Sequence, residues 1–325
     1  MLDFFRKYQK IFFIVIAVVV ISSFIFFGTF SAMTSGPQRV DPVIGKAVNG
    51  ADVRLSEIVS LSRFIAADQD DLVSGSRSVP ANLFNNGVIR KDFLMKGLAD
   101  VMISVHPEAL QKDLNEKLQR IKTYRSYEHP ETPFLSAKAV WQRVLPQINT
   151  HFSFLQSEEV MNNTAFSHLA TLYQLQSQLP PEWLRQILLM QEKQYHWLHP
   201  DPKLRQQDLG LFGFHSLADW FGRNFIDLCA EFIYNTAILA QSKGYQVTFE
   251  EAKTDLERNF SDGVRKMRAA NIASEWSYKE QLRQLGMDEA AAVQGGKKFF
   301  CFESILQTLA PLFFSIGWRM RNLDL

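Results

Sequence analysis

The sequence contains little cysteine, no excess of either charge, and almost no stretch in which apolar and polar residues alternate. Its two cysteines, Cys229 and Cys301, are too few for a disulfide framework or a cysteine-rich metal cluster. Each is expected to be a small buried apolar residue, with a bridge between them as the alternative in an oxidising compartment. The net charge of +1 does not provide the basic surface that nucleic-acid binding requires.

Motifs that carry chemistry are also few. The stretch Asp208–Phe214 (DLGLFGF) contains two glycines but lacks the lysine and the strand–glycine–helix context of a phosphate loop. His196 and His199 could share a metal ion, but no third ligand has supporting spacing, so an exposed helix end is favoured. No histidine lies in a serine-hydrolase or cysteine-protease context. We therefore predict no enzyme activity, no catalytic or cofactor-binding residue, no metal ligand and no cofactor.

The longest apolar run is Ile11 to Phe30, which contains no charged residue. As a helix it would rise about 30 Å, the thickness of the hydrocarbon core of a bilayer. Basic residues precede it (Arg6, Lys7 and Lys10), and the positive-inside rule keeps such a flank in the cytoplasm. The pattern predicts an uncleaved anchor, with a cleaved signal and a buried core helix as alternatives. It implies a single-pass inner-membrane protein with a cytoplasmic N-terminus and a periplasmic body.

Helical spacing dominates the rest of the sequence. After a polar linker, a short strand and a tight turn at Val48-Asn49-Gly50 are predicted to precede a helix. The next segment, residues 68–82, is predicted to be an exposed loop, and Pro107 to begin a later helix. Apolar residues recur three and four apart, as on one helix face. The positions expected on such faces are Ile58, Leu61, Phe64, Ile65, Leu94, Leu98, Met102, Leu110, Leu114, Leu118 and Ile121.

The second half shows further helix signals. The segment 179–198 is predicted to be a helix whose Trp183, Ile187, Met190 and Tyr195 can share a face. A long helix from Leu217 is predicted to stop at Gly244. Thr248 and Glu251 then have the spacing of a capping box. The phenylalanines, of which there are 27, can build a helical core or line a groove for apolar segments of another protein.

Three stretches, taken in order, resemble a known family. VIGKAVNGADVRLSEI, which follows the apolar run, resembles the start of periplasmic folding factors of the SurA and PpiD type. Asn224–Phe260 resembles the next helices of that family, and Tyr278–Gln294 a later helix–turn segment. The residues of the second stretch that stand at motif positions are Ala240, Gly244, Val247, Glu250 and Glu251.

The resemblance implies a mostly α protein in which a transmembrane helix precedes a helical bundle like the SurA N-terminal domain, with a large helical insertion. It divides the sequence into a cytoplasmic N-terminus (1–10), an anchor (11–30), a linker (31–43), a chaperone-like domain (44–294, insertion about 66–220) and an atypical C-terminal tail (295–325). The tail begins at a double glycine. A truncated or frame-altered C-terminus and a tail helix packed on the bundle are the two hypotheses for it.

The implied function is that of a membrane-anchored extracytoplasmic chaperone, a holdase or escort. Its partners would be unfolded or newly exported proteins and, through one helix, the lipid bilayer, with no nucleic acid. The alternatives are an anchored helical scaffold for one defined partner and a degenerate relative of peptidyl-prolyl isomerases. The isomerase (parvulin) domain of the family is missing, and Asp208–Phe212 is taken as a chance echo of one of its turns. No isomerase activity is expected.

Overall fold

The structure is a computed structural model that describes residues 41–66, 87–269 and 277–321. Helices dominate the described residues, which confirms the predicted mostly α class. The strands form two antiparallel hairpins, β1 (Val43–Lys46) with β2 (Asp52–Arg54) and β3 (Glu128–His129) with β4 (Thr132–Ser136). The α-helices are α1 (Leu55–Ala66), α2 (Leu98–Val105), α3 (Pro107–Thr123), α4 (Ala137–Val144), α5 (Gln147–Ser157), α6 (Asn163–Gln178), α7 (Pro181–Gln194), α8 (Pro202–Gln206), α9 (Leu217–Phe221), α10 (Arg223–Ser242), α11 (Phe249–Ala269), α12 (Tyr278–Gln284) and α13 (Glu289–Arg321). A π-helical turn covers Ile89–Leu94 and a 3₁₀ turn covers Leu211–Gly213.

No helix in the described ranges is both long enough and apolar enough to cross a lipid bilayer. The longest, α13, carries Lys297, Lys298 and Glu303 in its first half. This finding corrects the predicted location as a single-pass inner-membrane protein with a periplasmic body. The stretch 11–30, from which the anchor was predicted, lies outside the described residues, as does the predicted loop at 68–82.

The chain divides into two units. Unit 1 comprises Met1–Phe64, Asp227–Asn259 and Tyr278–Leu325, and unit 2 comprises Ile65–Ile226 and Phe260–Ser277. The described part of unit 1 therefore contains the β1–β2 hairpin, α1, most of α10, the start of α11, α12 and α13. Unit 2 contains the elements from the π-helical turn to α9.

The tight turn predicted near Gly50 joins two strands rather than a strand and a helix. Ala47 N donates to Ala51 O at 2.8 Å, and Gly50 adopts φ +81°. Strand β2 has three residues, of which Val53 is buried, and α1 begins directly after it. Such a strand is too short to show alternation in the sequence. The predicted apolar face of α1 is confirmed, because Ile58, Leu61, Phe64 and Ile65 are all buried.

The predicted junction between α10 and α11 is confirmed in detail. Gly244 follows the end of α10 with φ +91°, and Tyr245 N donates to Ala240 O at 3.1 Å, which satisfies one of the last helix carbonyls. Thr248 caps α11: its Oγ1 accepts from Glu251 N at 3.2 Å, while Glu251 Oε2 accepts from Thr248 N at 2.8 Å. The hydrogen bonds that Thr248 N and Oγ1 donate to the carboxylate lower the pKa of Glu251.

Helix α13 runs without a break through the double glycine at which the sequence composition changes. A Cβ atom added to Gly295 would lie 3.0 Å from Phe64 Cγ, and one added to Gly296 would lie 3.4 Å from Leu256 Cδ1. The ring of Phe64 also lies 6.5 Å from that of Phe299. The first glycine thus allows α13 to approach the Phe64 side chain closely.

Unit 2 is built around α3 and a group of aromatic rings. Pro107 begins α3, as predicted, and the helix buries Leu110, Leu114, Leu118 and Ile121. The rings in contact are Phe166, Tyr173, Trp220, Phe221 and Phe225. Between α9 and α10, Gly222 has φ +87° and its backbone lies against the Asp113 side chain, which accepts from Asn224 N at 3.2 Å.

The predicted face of the 179–198 helix is wrong. In α7, Leu184, Leu188 and Glu192 are buried, whereas Trp183 and Met190 are exposed. The inward face is therefore the one that carries Leu184, Leu188 and Glu192. On this face Glu192 accepts a hydrogen bond from Asp201 N at 2.7 Å.

Candidate functional site

The described part of unit 2 contains a cavity of about 520 Å³. Tyr124 leaves the end of α3 with an extended backbone and begins one wall, which continues to Glu128 in β3. The other walls come from Lys138 of α4, from α5 and from the start of α8. The segment 124–133 contains β3 and the start of β4. The short hairpin fixes the wall of the cavity.

Three cationic side chains line this cavity. They are Arg125, Lys138 and Lys203. Arg125 Nη1 donates to the carbonyl oxygen of Tyr124 at 3.1 Å, and Lys138 and Lys203 are exposed. Within the ranges that the structure describes, none of the three lies within 4 Å of a carboxylate. Their charges are therefore not neutralised by neighbouring protein groups.

Two carboxyl groups also line the cavity, and their surroundings differ. Asp201 is buried and caps α8: its Oδ1 accepts from Lys203 N at 3.0 Å and its Oδ2 accepts from Tyr127 OH at 3.0 Å. Glu128 is exposed and forms no ion pair with any residue that the structure describes. Asp201 is thus committed to the fold, whereas the Glu128 carboxylate is open to a ligand.

Aromatic side chains form the apolar part of the lining. Phe152 and Tyr124 meet edge to face, with ring centroids 6.1 Å apart. Tyr127 is buried, and burial followed by its hydrogen bond to Asp201 raises the pKa of its phenol. Tyr127 therefore remains protonated and donates a hydrogen bond to Asp201 across the physiological range.

A buried polar network lies behind the wall. Glu131 N donates to His129 Nδ1 at 3.2 Å, which places the proton of the neutral ring on Nε2. That Nε2 atom lies 3.5 Å from Glu192 Oε1, the oxygen that also accepts from Asp201 N. His129, Glu192, Asp201 and Tyr127 thus form one chain of contacts that holds β3, α7 and α8 together.

The Asp208–Phe214 stretch supports the aromatic part of the lining. Phe212 is buried with φ +60°, a strained conformation for a residue other than glycine. Arg120 holds it there: its Nε donates to Phe212 O at 2.8 Å and its Nη2 donates to Gly213 O at 3.0 Å. The Phe212 ring meets those of Tyr124 and Phe152 at 5.3 and 5.5 Å. The turn therefore has a structural role. It is stabilised in turn by a hydrogen bond that Gly210 N donates to Asp208 Oδ1 at 2.9 Å.

Unit 1 contains a different kind of polar group. Asp227 and Glu231 lie one turn apart on α10, and Ser62 donates to Asp227 Oδ1 at 2.6 Å. Burial, followed by repulsion from Asp227, raises the pKa of Glu231 to about 7. Its Oε2 atom is buried and has no hydrogen-bond partner among the described residues. This carboxyl group is held in a protonated state by its surroundings at mildly acidic pH.

A second polar cluster of unit 1 joins three elements. Tyr234 OH donates to Glu57 Oε2 at 3.2 Å, and Lys298 Nζ lies 3.4 Å from Glu57 Oε1 and 4.4 Å from the Tyr234 ring centroid. Burial and the adjacent carboxylate raise the pKa of Tyr234 to about 12, and burial lowers the pKa of Lys298. The three groups satisfy one another and tie α1, α10 and α13 together.

Two pairs of residues were considered for chemistry from the sequence: His196 with His199 as metal ligands, and Cys229 with Cys301 as a disulfide bridge. His199 Nδ1 lies 2.9 Å from Glu131 Oε1, and its backbone N donates to Glu131 Oε2, while His196 is exposed. The described residues contain no group of three or more side chains that could hold a metal ion. Cys229 and Cys301 are buried free thiols, as expected, and burial raises the pKa of both.

Sequence analysis predicted no site residue and missed this cavity. Its cations are scattered over Arg125, Lys138 and Lys203, and no spacing rule links them. The signal that was present is the run YRSYEH at 124–129, which combines two tyrosines with charges of both signs between two helical patterns.

A family model described as "Conserved hypothetical protein CHP03076, glycine cleavage" matches residues 2–287. No curated protein and no solved structure matches this chain.

The family match overturns the resemblance to the SurA and PpiD type of folding factor, which is wrong. The function built on it is wrong for the same reason, whether stated as an anchored holdase or in its scaffold and isomerase alternatives. Of the motif positions in Asn224–Phe260 that suggested the resemblance, Gly244 follows a helix end and Glu251 belongs to a capping box at the next helix start. Such signals mark where helices begin and end in many unrelated proteins.

The matched segment includes nearly all of unit 2 and much of unit 1. It leaves Met1 and residues 288–325 outside and covers well over half of the 325 residues. The chain therefore belongs to this glycine cleavage family of conserved hypothetical proteins.

Proposed function

We propose that this chain serves glycine cleavage as a binding protein rather than as an enzyme, and that it holds a small carboxylate-bearing metabolite in the cavity of unit 2. The family description supports the link to glycine cleavage. The observation that carries the binding proposal is the pair Lys138 and Lys203, whose charges line the cavity without a carboxylate partner.

The physical case rests on charge and shape together. A carboxylate that reaches two ammonium groups and the Arg125 guanidinium forms charge-assisted hydrogen bonds, which are stronger than neutral ones. The cavity, of about 520 Å³, is open to solvent and large enough to receive a small molecule. Phe152 and Tyr124 offer an apolar surface to the rest of the ligand.

The absence of catalysis is part of the proposal. The buried groups near the cavity that can move protons already have structural partners. Tyr127 donates to Asp201, and Glu192 accepts from Asp201 N in the interior beside His129. Binding therefore fits these residues better than proton transfer to a substrate.

Binding is tested by calorimetric titration of the full chain with glycolate and with phenyllactate. Lys138→Met is expected to weaken binding about tenfold, because it removes a charge-assisted contact. Lys193→Met, which removes an exposed lysine from α7 outside the lining, should leave the affinity unchanged. If the wild-type chain binds neither ligand, the binding proposal is rejected.

The link to glycine cleavage is tested in cells from which the gene has been deleted. We expect the release of CO2 from the glycine carboxyl carbon to fall on deletion, and to recover with the wild-type gene but not with the variant K138M. An unchanged rate on deletion would refute the link. Release of CO2 from glycine by the purified chain alone would refute the absence of catalysis.

A further inference from the structure

We infer that the cavity of unit 2 selects a free α-amino acid over other carboxylates. This inference rests on the proposed function and names the ligand class of the same site. It follows from the charges of both signs that line one cavity without pairing to each other.

The strand pairing brings the two signs into one region. Glu128 of β3 lies opposite Ser136 of β4, and Ser136 caps α4 by accepting from Ala139 N at 3.3 Å. Lys138 lies in the first turn of the helix that Ser136 caps, and so the hairpin and the helix that follows it bring a carboxylate and an ammonium group to the lining of one cavity. No ion pair within 4 Å joins them in the described structure.

Opposite charges that stand apart in one cavity are complementary to a ligand that itself carries both charges. An α-amino acid has an ammonium and a carboxylate group on one carbon atom. A cavity that presented cations alone would instead favour a ligand with two or more negative charges, because no group would compensate an ammonium.

The ligand's ammonium group is assigned to Glu128 and not to Asp201. Both oxygens of Asp201 already accept hydrogen bonds, one from Tyr127 OH and one from Lys203 N. Glu128 is exposed and has no such partner. The carboxylate of the ligand is then left to Lys138 and Lys203.

The test uses pairs of ligands that differ only in an ammonium group and a hydroxyl group: glycine against glycolate, and phenylalanine against phenyllactate. Each is titrated calorimetrically into the full chain. We expect each amino acid to bind about tenfold more tightly than its hydroxy acid, since a charged hydrogen bond is added. Glu128→Gln should abolish this preference and leave the hydroxy acids unaffected. Glu116→Gln, an exposed change on α3, is the matched control.

Equal affinities within each pair would overturn the inference while leaving the proposed function intact. If the wild-type protein binds none of these ligands, the proposed function itself is overturned. A preference for amino acids that survives Glu128→Gln would overturn the role assigned to that residue. Thermal unfolding of the variant E128Q, expected to match that of the wild type, verifies that its fold is unchanged.

Discussion

The two units hold polar groups in contrasting ways. In unit 1 the groups with displaced pKa values, Glu231, Tyr234 and Lys298, are enclosed by helices or satisfied by one another. In unit 2 the buried side chains of Asp201 and Glu192 stabilise one wall of the cavity, and unpaired charges are exposed in its lining. For Glu231, Tyr234 and Lys298 the displaced pKa accompanies burial, whereas in unit 2 unpaired charge at a concave surface marks the candidate site.

The largest loss of stability that tests this comparison is expected from substituting glycines of positive φ, one in each unit. Gly222→Ala, in unit 2, would place a Cβ 2.6 Å from Asp113 Cβ in a left-handed conformation. We expect a loss of about 3–5 kcal/mol in the free energy of unfolding, from strain and overpacking combined. Gly50→Ala, in unit 1, has φ +81° but meets nothing within 4 Å, so about 1–2 kcal/mol is expected. Urea unfolding measures both, and equal losses would contradict the packing assigned to Gly222.

A second prediction concerns the buried carboxyl group of unit 1. The pKa of Glu231 is raised from 4.5 to about 7 in the folded protein. Below pH 4.5 the folded and unfolded states are both protonated, and the group costs nothing. As the pH rises from 4.5 to 7, the unfolded state ionises first and stability is lost, after which the penalty stays constant.

Glu231→Gln removes that penalty. We expect the variant to be more stable than the wild type by about 1–3 kcal/mol at pH 8, with the difference shrinking toward pH 4.5. Chemical unfolding at both pH values measures it. Glu250→Gln, at an exposed position of α11, should show no such pH-dependent gain. A destabilised E231Q at pH 8 would show that the carboxylate has a partner there.

The smallest stability effect is expected within α13. A Cβ at Gly295 would lie 3.0 Å from the buried Phe64 ring, so Gly295→Ala should cost about 1–2 kcal/mol. A Cβ at Gly296 would make ordinary contact with Leu256 at 3.4 Å, and Gly296→Ala should gain up to about 1 kcal/mol from helix propensity. Thermal unfolding should therefore give shifts of opposite sign for adjacent residues. Shifts of the same sign would argue against close approach at Gly295.

Local signals in the sequence predicted much of the fold. Pro107, Gly244 and Thr248 mark helix ends through their own backbone chemistry, and the structure confirms each. Strand β2 and the β3–β4 hairpin were missed because strands of two to five residues are too short to leave a periodic pattern. The buried face of α7 was missed because the helix carries apolar residues on more than one side, and tertiary packing covers Leu184 and Leu188 rather than Trp183 and Met190.

The candidate site was not predictable from the sequence for a related reason. Arg125, Lys138 and Lys203 belong to three different elements, and only tertiary structure brings them to one cavity. Whether these charges are paired depends on distances in the folded structure. Neither the composition nor the residue spacing of the sequence gives those distances. The helix-end motifs, in contrast, were clear but common, and they led to the wrong family.

The most direct test of the account is a titration of the full chain with glycolate, comparing two double variants. The first double variant, Lys138→Met with Lys203→Met, removes both unpaired lysines of the cavity. The second, Lys91→Met with Lys193→Met, removes two exposed lysines outside the lining. The account predicts that the first pair abolishes binding and the second leaves it at the wild-type level. Equal binding by both double variants would show that the cavity of unit 2 is not where the carboxylate is held.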